Sequence, residues 1–120
     1  MTGNMLVGFD ASEESYKAFD FALEMAASDK IPASPEINVL SVVSRPGGLN
    51  LVDTDSLIDE ATMQFKEQVK SLEEKARSSN MSITSEVAVG HPADTIVKTA
   101  KKHNCPMIIV GHKGRSKIAG

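Results

Sequence analysis

The hydrophobic residues of this chain fall into short runs, which alternate with longer segments of helical spacing. Four runs rich in apolar and β-branched residues, each typical of a strand, lie at 5–10, 37–43, 83–89 and 107–110. The last run contains no polar residue, a pattern typical of a strand buried on both faces of a parallel sheet. The run 83–89 alternates imperfectly between apolar and polar residues, so we expect it at an edge of the sheet.

The segment after the first run predicts an amphipathic helix. Ser12 is a good N-cap, and Glu13 and Glu14 favour the positive end of the helix dipole. Small and apolar residues then recur every three or four positions. We expect this helix to end before Ile31, because Pro32 cannot continue it.

Two further helices are predicted. A loop rich in glycine and proline is expected from Ser44 to Thr54, followed by a helix from about Ser56 to Ser78. The apolar stripe of this helix is formed by Leu57, Ala61, Phe65, Val69, Leu72 and Ala76. The third helix starts at Pro92, which suits a first helical position, and ends near His103.

The order of the elements, β-α-β-α-β-α-β, predicts an α/β fold. Such alternation implies a parallel sheet with right-handed crossovers and helices on both faces. In these sheets ligands bind beyond the carboxyl ends of the strands, where the strand order reverses. Three loops should meet there, namely those after Asp10, after Val42 and from Gly111 to Gly114.

The glycine turn after the last run is the strongest candidate for a binding site. Gly111 and Gly114 allow backbone angles that point successive N–H groups at one spot, which forms a nest for an anion. Lys113 and Arg115 add positive charge around it, so a phosphate group is the simplest ligand. The alternative is a tight turn with a purely structural role.

Composition narrows the function classes. The chain has 120 residues and 41% hydrophobic content, which suits one soluble domain. A formal net charge of −3 argues against nucleic acid as the main partner. The apolar runs are too short to span a bilayer, and the start of the chain does not resemble a signal peptide, so we expect a cytoplasmic protein.

The sequence shows no familiar catalytic set. It lacks a nucleophile elbow, a Walker-type phosphate loop and a zinc-binding HExxH pattern. His91 and His103 are expected on the surface, and the histidines are not spaced as metal ligands. Cys105 is expected to be an inert small hydrophobic residue.

Four stretches taken together resemble the universal stress protein family, and the likeness covers nearly the whole chain. They are the first strand ending in Asp10 with Ser12 two residues on, the strand end 40–43, the turn 90–92 and the segment 107–114. The resemblance implies a Rossmann-like or flavodoxin-like α/β/α sandwich with strand order 3-2-1-4. The usual fifth strand is expected to be absent, and residues 1–120 are expected to be one domain that is either truncated at its C-terminus or short there.

In the nucleotide-binding branch of that family, a G-x2-G-x9-G motif followed by Ser or Thr holds the phosphates of ATP. The resemblance therefore implies ATP or AMP as a ligand, with magnesium beside Asp10 through water. Asp10 would lie near the ribose, Val42 would offer backbone groups to the adenine, and Gly111 and Gly114 would be the first two glycines of the motif. The residues assigned to the nucleotide are Asp10, Ser12, Val42, Val110, Gly111, Lys113, Gly114 and Arg115.

The resemblance also implies a homodimer, because family members usually pair through their last strand. The function that follows is a stress-response regulator that binds an adenine nucleotide with little or no catalysis. One alternative is a dimerisation or interaction module of the same fold that binds no nucleotide. A further alternative is a slow ATPase or an autokinase.

Overall fold

The computed structural model of the protein describes residues 4–27, 36–43 and 51–111. Four strands and three helices alternate within these ranges: β1 (Met5–Gly8), α1 (Glu13–Ala26), β2 (Ile37–Val43), α2 (Leu51–Ser78), β3 (Ile83–Val89), α3 (Pro92–Lys102) and β4 (Met107–Val110). The strands form one parallel sheet in the order β3-β2-β1-β4. The predicted α/β fold and strand order are therefore confirmed.

One face of the sheet is covered by α1 and α2. Successive side chains of a strand point to opposite faces, so Met5 and Val7 of β1 lie on this side. They are completely buried against α1 and α2, whose Phe19 and Leu72 are also completely buried. This cluster is the larger of the two hydrophobic cores.

The other face is covered by α3. Leu6 of β1 and Leu40 of β2 pack there against Ala100 and Cys105. The placement confirms that helices lie on both faces, as right-handed crossovers require. Because β3 and β4 lie at opposite edges of the sheet, the crossover through α3 spans its full width.

A hydrogen-bonded polar group lies within this second core. The buried Asn38 amide donates to Cys105 Sγ at 3.3 Å and to the Met5 carbonyl at 3.4 Å, and it accepts from the Thr84 hydroxyl at 2.5 Å. Burial raises the pKa of the Cys105 thiol and keeps it in the neutral form. The chemistry of a buried neutral thiol agrees with the expectation of an inert cysteine.

Most predicted boundaries agree with the structure, but α2 does not. This helix begins at Leu51 rather than near Ser56, so the prediction that the loop extends to Thr54 is wrong. Neither glycine nor proline occurs between residues 49 and 78, so nothing in this stretch stops a helix. The remainder of the predicted loop, residues 44–50, lies outside the described residues.

Of the predictions made for the two edge strands, one is confirmed and one is wrong. The prediction that β3 lies at a sheet edge is confirmed. The prediction that β4 is buried on both faces is wrong, because Ile108 is 41% exposed and Val110 is 51% exposed. Among the described residues β4 has a neighbouring strand on one side only, which leaves these side chains at an edge of the sheet.

Candidate functional site

A cavity of about 300 Å³ opens at the carboxyl end of the sheet, where strand order reverses between β1 and β4. The size is at the lower end of the range for small-molecule sites. It is lined by Gly8, Phe9, Asp10, Ser12, Glu14, Ser15, Leu40, Val42, Pro92, Ile96, Val110 and Gly111. Residues that follow three of the strands therefore meet in one place.

The turn from β1 into α1 carries Asp10 to the mouth of this cavity. Asp10 Oδ1 accepts a hydrogen bond from the Ser12 N–H at 2.9 Å, which closes an Asx-type turn. Between them Ala11 has a φ of 65°, in the left-handed region. Upstream, the Phe9 N–H donates to the Leu40 carbonyl at 2.8 Å and keeps the strand end against β2.

Ser12 caps α1 as the sequence predicts. Its Oγ accepts a hydrogen bond from the Ser15 N–H at 3.1 Å, and the Ser15 hydroxyl donates to the Ser12 carbonyl at 2.9 Å. The positive end of the α1 dipole therefore faces the cavity. Glu13 and Glu14 occupy the same first turn and offset that positive end.

Gly111 allows the chain leaving β4 to lie directly on α1. A Cβ at this position would be 2.5 Å from the carbonyl carbon of Glu14 and 2.7 Å from the Ser15 nitrogen. Backbone atoms of a capped helix cannot yield at such distances, so residue 111 must be glycine in this arrangement. At Gly8 a Cβ would be 3.0 Å from Val110 Cγ1, so the missing side chain leaves room in the cavity wall.

The inner wall of the cavity is apolar. Leu40 is buried, Val42 and Ile96 are half-buried, and Pro92 and Val110 complete this wall. An apolar slot with a few polar groups at one end suits a flat ring that carries a polar substituent.

The backbone of Val42 adds a polar edge to this slot. The Leu40 carbonyl accepts a hydrogen bond from Phe9 at the end of β1, whereas the Val43 carbonyl accepts one from Gly90 at the end of β3. Because the backbone groups of successive strand residues point to alternate sides, those of Val42 point to the same side as those of Leu40, toward β1. The pairing of β1 with β2 ends at Gly8 and Leu40. The Val42 N–H and C=O therefore face the space that β1 has left.

The structure brings five of the predicted site residues to the cavity: Asp10, Ser12, Val42, Val110 and Gly111. Lys113, Gly114 and Arg115 lie outside the described residues. Their contacts with a nucleotide remain a prediction.

Sequence reasoning missed several lining residues. Gly8 could have been found, because it interrupts an apolar run two residues before Asp10. Glu14 is predicted at the positive end of the helix dipole and not as a lining residue. Leu40 and Ile96 carry no local signal, since their place depends on which face of β2 and of α3 meets the sheet opening.

The histidines in the described ranges lie outside the cavity lining. His91 is the exposed N-cap of α3 and makes no side-chain capping bond. His103 keeps 33% of its side chain exposed at the surface, and its Nε2 lies 3.0 Å from Glu86 Oε1. This contact and the nearby Lys102 hold the pKa of Glu86 below its usual value.

A resident metal site is not formed by the described residues. They contain no group of three or more His, Cys, Asp or Glu side chains that could hold an ion. Asp10 and Glu14 are the acidic residues of the cavity lining. Magnesium commonly uses one or two carboxylates together with nucleotide phosphates, so this pair suits an ion that arrives with a ligand.

Sequence comparison identifies the family. The model of the universal stress protein family matches residues 1–120. The chain belongs to this family. The universal stress protein YxiE of Bacillus subtilis (strain 168) is 30% identical over 98% of this chain and 84% of its own length.

Solved structures of universal stress proteins share the fold. The universal stress protein UspA from Lactobacillus plantarum matches with a TM-score of 0.77 and 22% identity over 92% of this chain and 77% of that chain. A universal stress protein in complex with cAMP matches with a TM-score of 0.70 and 23% identity, over 98% and 81% of the two chains. A family protein from Arabidopsis thaliana with AMP bound matches with a TM-score of 0.70 and 17% identity, over 97% and 80%.

Within the described residues of this universal stress protein, no helix has both the length and the apolar character needed to cross a bilayer.

Proposed function

We propose that this universal stress protein binds an adenine nucleotide in the cavity at the carboxyl end of its sheet and acts as a stress-response regulator with little or no catalysis. The observation that carries the proposal is that Asp10 and Gly111 line one cavity at the point where strand order reverses. Complexes of structurally similar family members with cAMP and AMP support an adenine ligand.

The adenine ring would occupy the apolar slot beside Val42. The N–H and C=O of that residue offer one donor and one acceptor. Adenine presents a matching pair, since its N6 amino group donates and an adjacent ring nitrogen accepts. Ile96 and Val110 would contact the faces of the ring, so the base is held by apolar contact and identified by backbone hydrogen bonds.

The ribose and the phosphates would extend toward the mouth of the cavity. The Asp10 carboxylate would accept hydrogen bonds from the ribose hydroxyls. The phosphates would pass Gly111, and the residues that follow it in the sequence, Lys113, Gly114 and Arg115, would supply positive charge and backbone N–H groups for them. Any magnesium would come with the nucleotide and reach Asp10 through water.

The proposal is tested by calorimetric titration of the purified protein with adenosine, AMP and ATP, each with and without magnesium. We expect saturable binding of at least AMP or ATP at submillimolar concentration. No heat and no shift in melting temperature at millimolar nucleotide would overturn the proposal. ATP turnover above that of an Asp10→Ala control would instead support the alternative of a slow ATPase or autokinase.

Two adjacent residues of α3 provide a matched pair for the same titration. Ile96 lines the cavity, whereas Val97 is 46% exposed and lies outside the lining. We expect Ile96→Ala to weaken adenine nucleotide binding by about 1–2 kcal/mol, roughly 5- to 30-fold, through lost apolar contact. Val97→Ala should leave the affinity unchanged, and equal effects of the two substitutions would place the ligand elsewhere.

A second candidate function is a dimerisation module with a structural glycine turn. The exposure of Ile108 and Val110 on edge strand β4 favours it, since natural proteins seldom leave an apolar edge uncovered. The two functions are compatible, and sedimentation with and without AMP separates them. A dimer that binds no adenine compound would support the second candidate alone.

A further inference from the structure

We infer that Glu14 sets how much phosphate charge the cavity accepts, so that the protein binds adenosine and AMP in preference to magnesium-free ATP. The inference rests on the proposed function and adds a specificity-determining residue to that site. It follows from where Glu14 lies and from the charges around it.

Glu14 lies in the first turn of α1, is half-buried and lines the cavity. Residues four apart share a helix face, and Ala18 is buried against the sheet, so Glu14 is on the side of α1 that faces the sheet. Side chains of a helix lean toward its N-terminus. That end of α1 opens onto the cavity, so we infer that the Glu14 carboxylate extends toward it.

The path for a phosphate chain passes this carboxylate. Gly111 packs on the backbone of Glu14 so closely that a Cβ there would be 2.5 Å from its carbonyl carbon. A nucleotide whose phosphates extend along Gly111 would therefore run beside the first turn of α1. Each additional phosphate brings more negative charge near a fixed negative charge, and a partly desolvated site screens that repulsion less than bulk water does.

The neighbouring Glu13 has a different environment. It is exposed, its Oε1 lies 3.7 Å from Lys17 Nζ, and it is absent from the cavity lining. Among the described residues, by contrast, Glu14 makes no ion pair, and no basic side chain lines the cavity beside it. The helix dipole would otherwise favour an anion at this point. The negative charge of Glu14 thus offsets the preference of this helix N-terminus for an anionic ligand.

The test compares Glu14→Gln with Glu13→Gln, which remove the same charge from adjacent residues. The affinities of adenosine, AMP and ATP are measured by calorimetry in magnesium-free buffer at low and high salt, and circular dichroism checks that both variants fold. We expect Glu14→Gln to tighten ATP binding about three- to tenfold, with adenosine changed less than twofold. The gain should shrink in high salt, and Glu13→Gln should change ATP binding less than twofold.

The outcomes separate the inference from the function on which it rests. Equal effects of the two substitutions, or no gain for ATP in Glu14→Gln, overturn the inference while adenosine binding still supports the proposed site. Weaker ATP binding in Glu14→Gln also overturns it, since the carboxylate would then serve the phosphates through a cation. If adenosine, AMP and ATP all fail to bind the unmodified protein, the proposed function falls first and the inference falls with it.

Discussion

Ala11 holds a backbone conformation that alanine seldom adopts. Its φ of 65° lies in the left-handed region, which costs a residue with a Cβ about 1–2 kcal/mol. The other non-glycine residues with positive φ in the described ranges, Asn80 and Asn104, are asparagines, which tolerate this region better. The strain at Ala11 is held in place by the Asp10–Ser12 hydrogen bond on the cavity side of the turn.

We therefore expect Ala11→Gly to stabilise the protein. Relief of the left-handed strain exceeds the entropy that glycine adds to the unfolded chain, which leaves a net gain of about 0.5–1 kcal/mol. Urea unfolding of both proteins measures the difference. The control is Ala93→Gly in the first turn of α3, which should destabilise by up to about 1 kcal/mol. A loss of stability in Ala11→Gly would show that the methyl group's packing on the core outweighs the strain.

At the scale of elements, α3 is tied to the edge strand β3 by charged side chains. Glu86 of β3 contacts His103 at 3.0 Å and Lys102 at 3.5 Å, both at the C-terminal end of α3. The hydrogen bond from His103 and the charge of Lys102 lower the pKa of Glu86 from its usual 4.5. The other end of α3 carries Pro92 and Ile96 to the cavity, so this contact helps to position one wall of the site.

The lowered pKa predicts a pH dependence of stability with a defined sign. A carboxyl group whose pKa is lower in the folded state stabilises the protein above its unfolded pKa and loses that effect as pH falls through the folded pKa. We expect Glu86→Gln to cost about 0.2–1 kcal/mol at pH 7, since the group is partly exposed and screened, and to cost progressively less as pH falls below 4.5. Denaturant unfolding at pH 7 and at a series of acidic pH values measures the change, with the exposed Glu73→Gln as control. A cost that does not fall with pH would mean that the effect is not ionic.

The element boundaries show which local sequence signals are sufficient to predict a helix or a strand. Strands β2, β3 and β4 and the start of α3 were predictable because β-branched runs and an N-terminal proline depend only on neighbouring residues. The start of α2 was not, because glycine and proline at 46–48 suggested a longer loop than the chain forms. The exposure of β4 was not visible either, since an all-apolar run is the same at an edge and in the centre of a sheet.

At the scale of the whole molecule, topology decides which residues share the cavity. Asp10, Val42 and Gly111 could be assigned in advance, because the carboxyl ends of parallel strands meet at one edge. Gly8, Leu40 and Ile96 could not, because their roles depend on strand pairing and on the face that α3 presents. The sequence thus locates the site through strand ends, and only the packed fold supplies its walls.

Cooperativity of the whole molecule depends on the core between α1, α2 and the sheet. Phe19 is completely buried in that core, whereas Phe21 on the same helix is 50% exposed. Phe19→Ala should cost about 3–5 kcal/mol, a large part of the about 5–15 kcal/mol typical of a domain.

Phe21→Ala provides the matched control and should stay within about 0.5 kcal/mol of the unmodified protein. Chemical denaturation followed by circular dichroism measures both changes. Because α1 also carries Ser12 and Glu14 to the cavity, a nucleotide that binds only the folded state should recover part of the stability that Phe19→Ala loses. Equal losses in the two variants would contradict a core centred on Phe19, and two separate unfolding transitions would contradict a single cooperative unit.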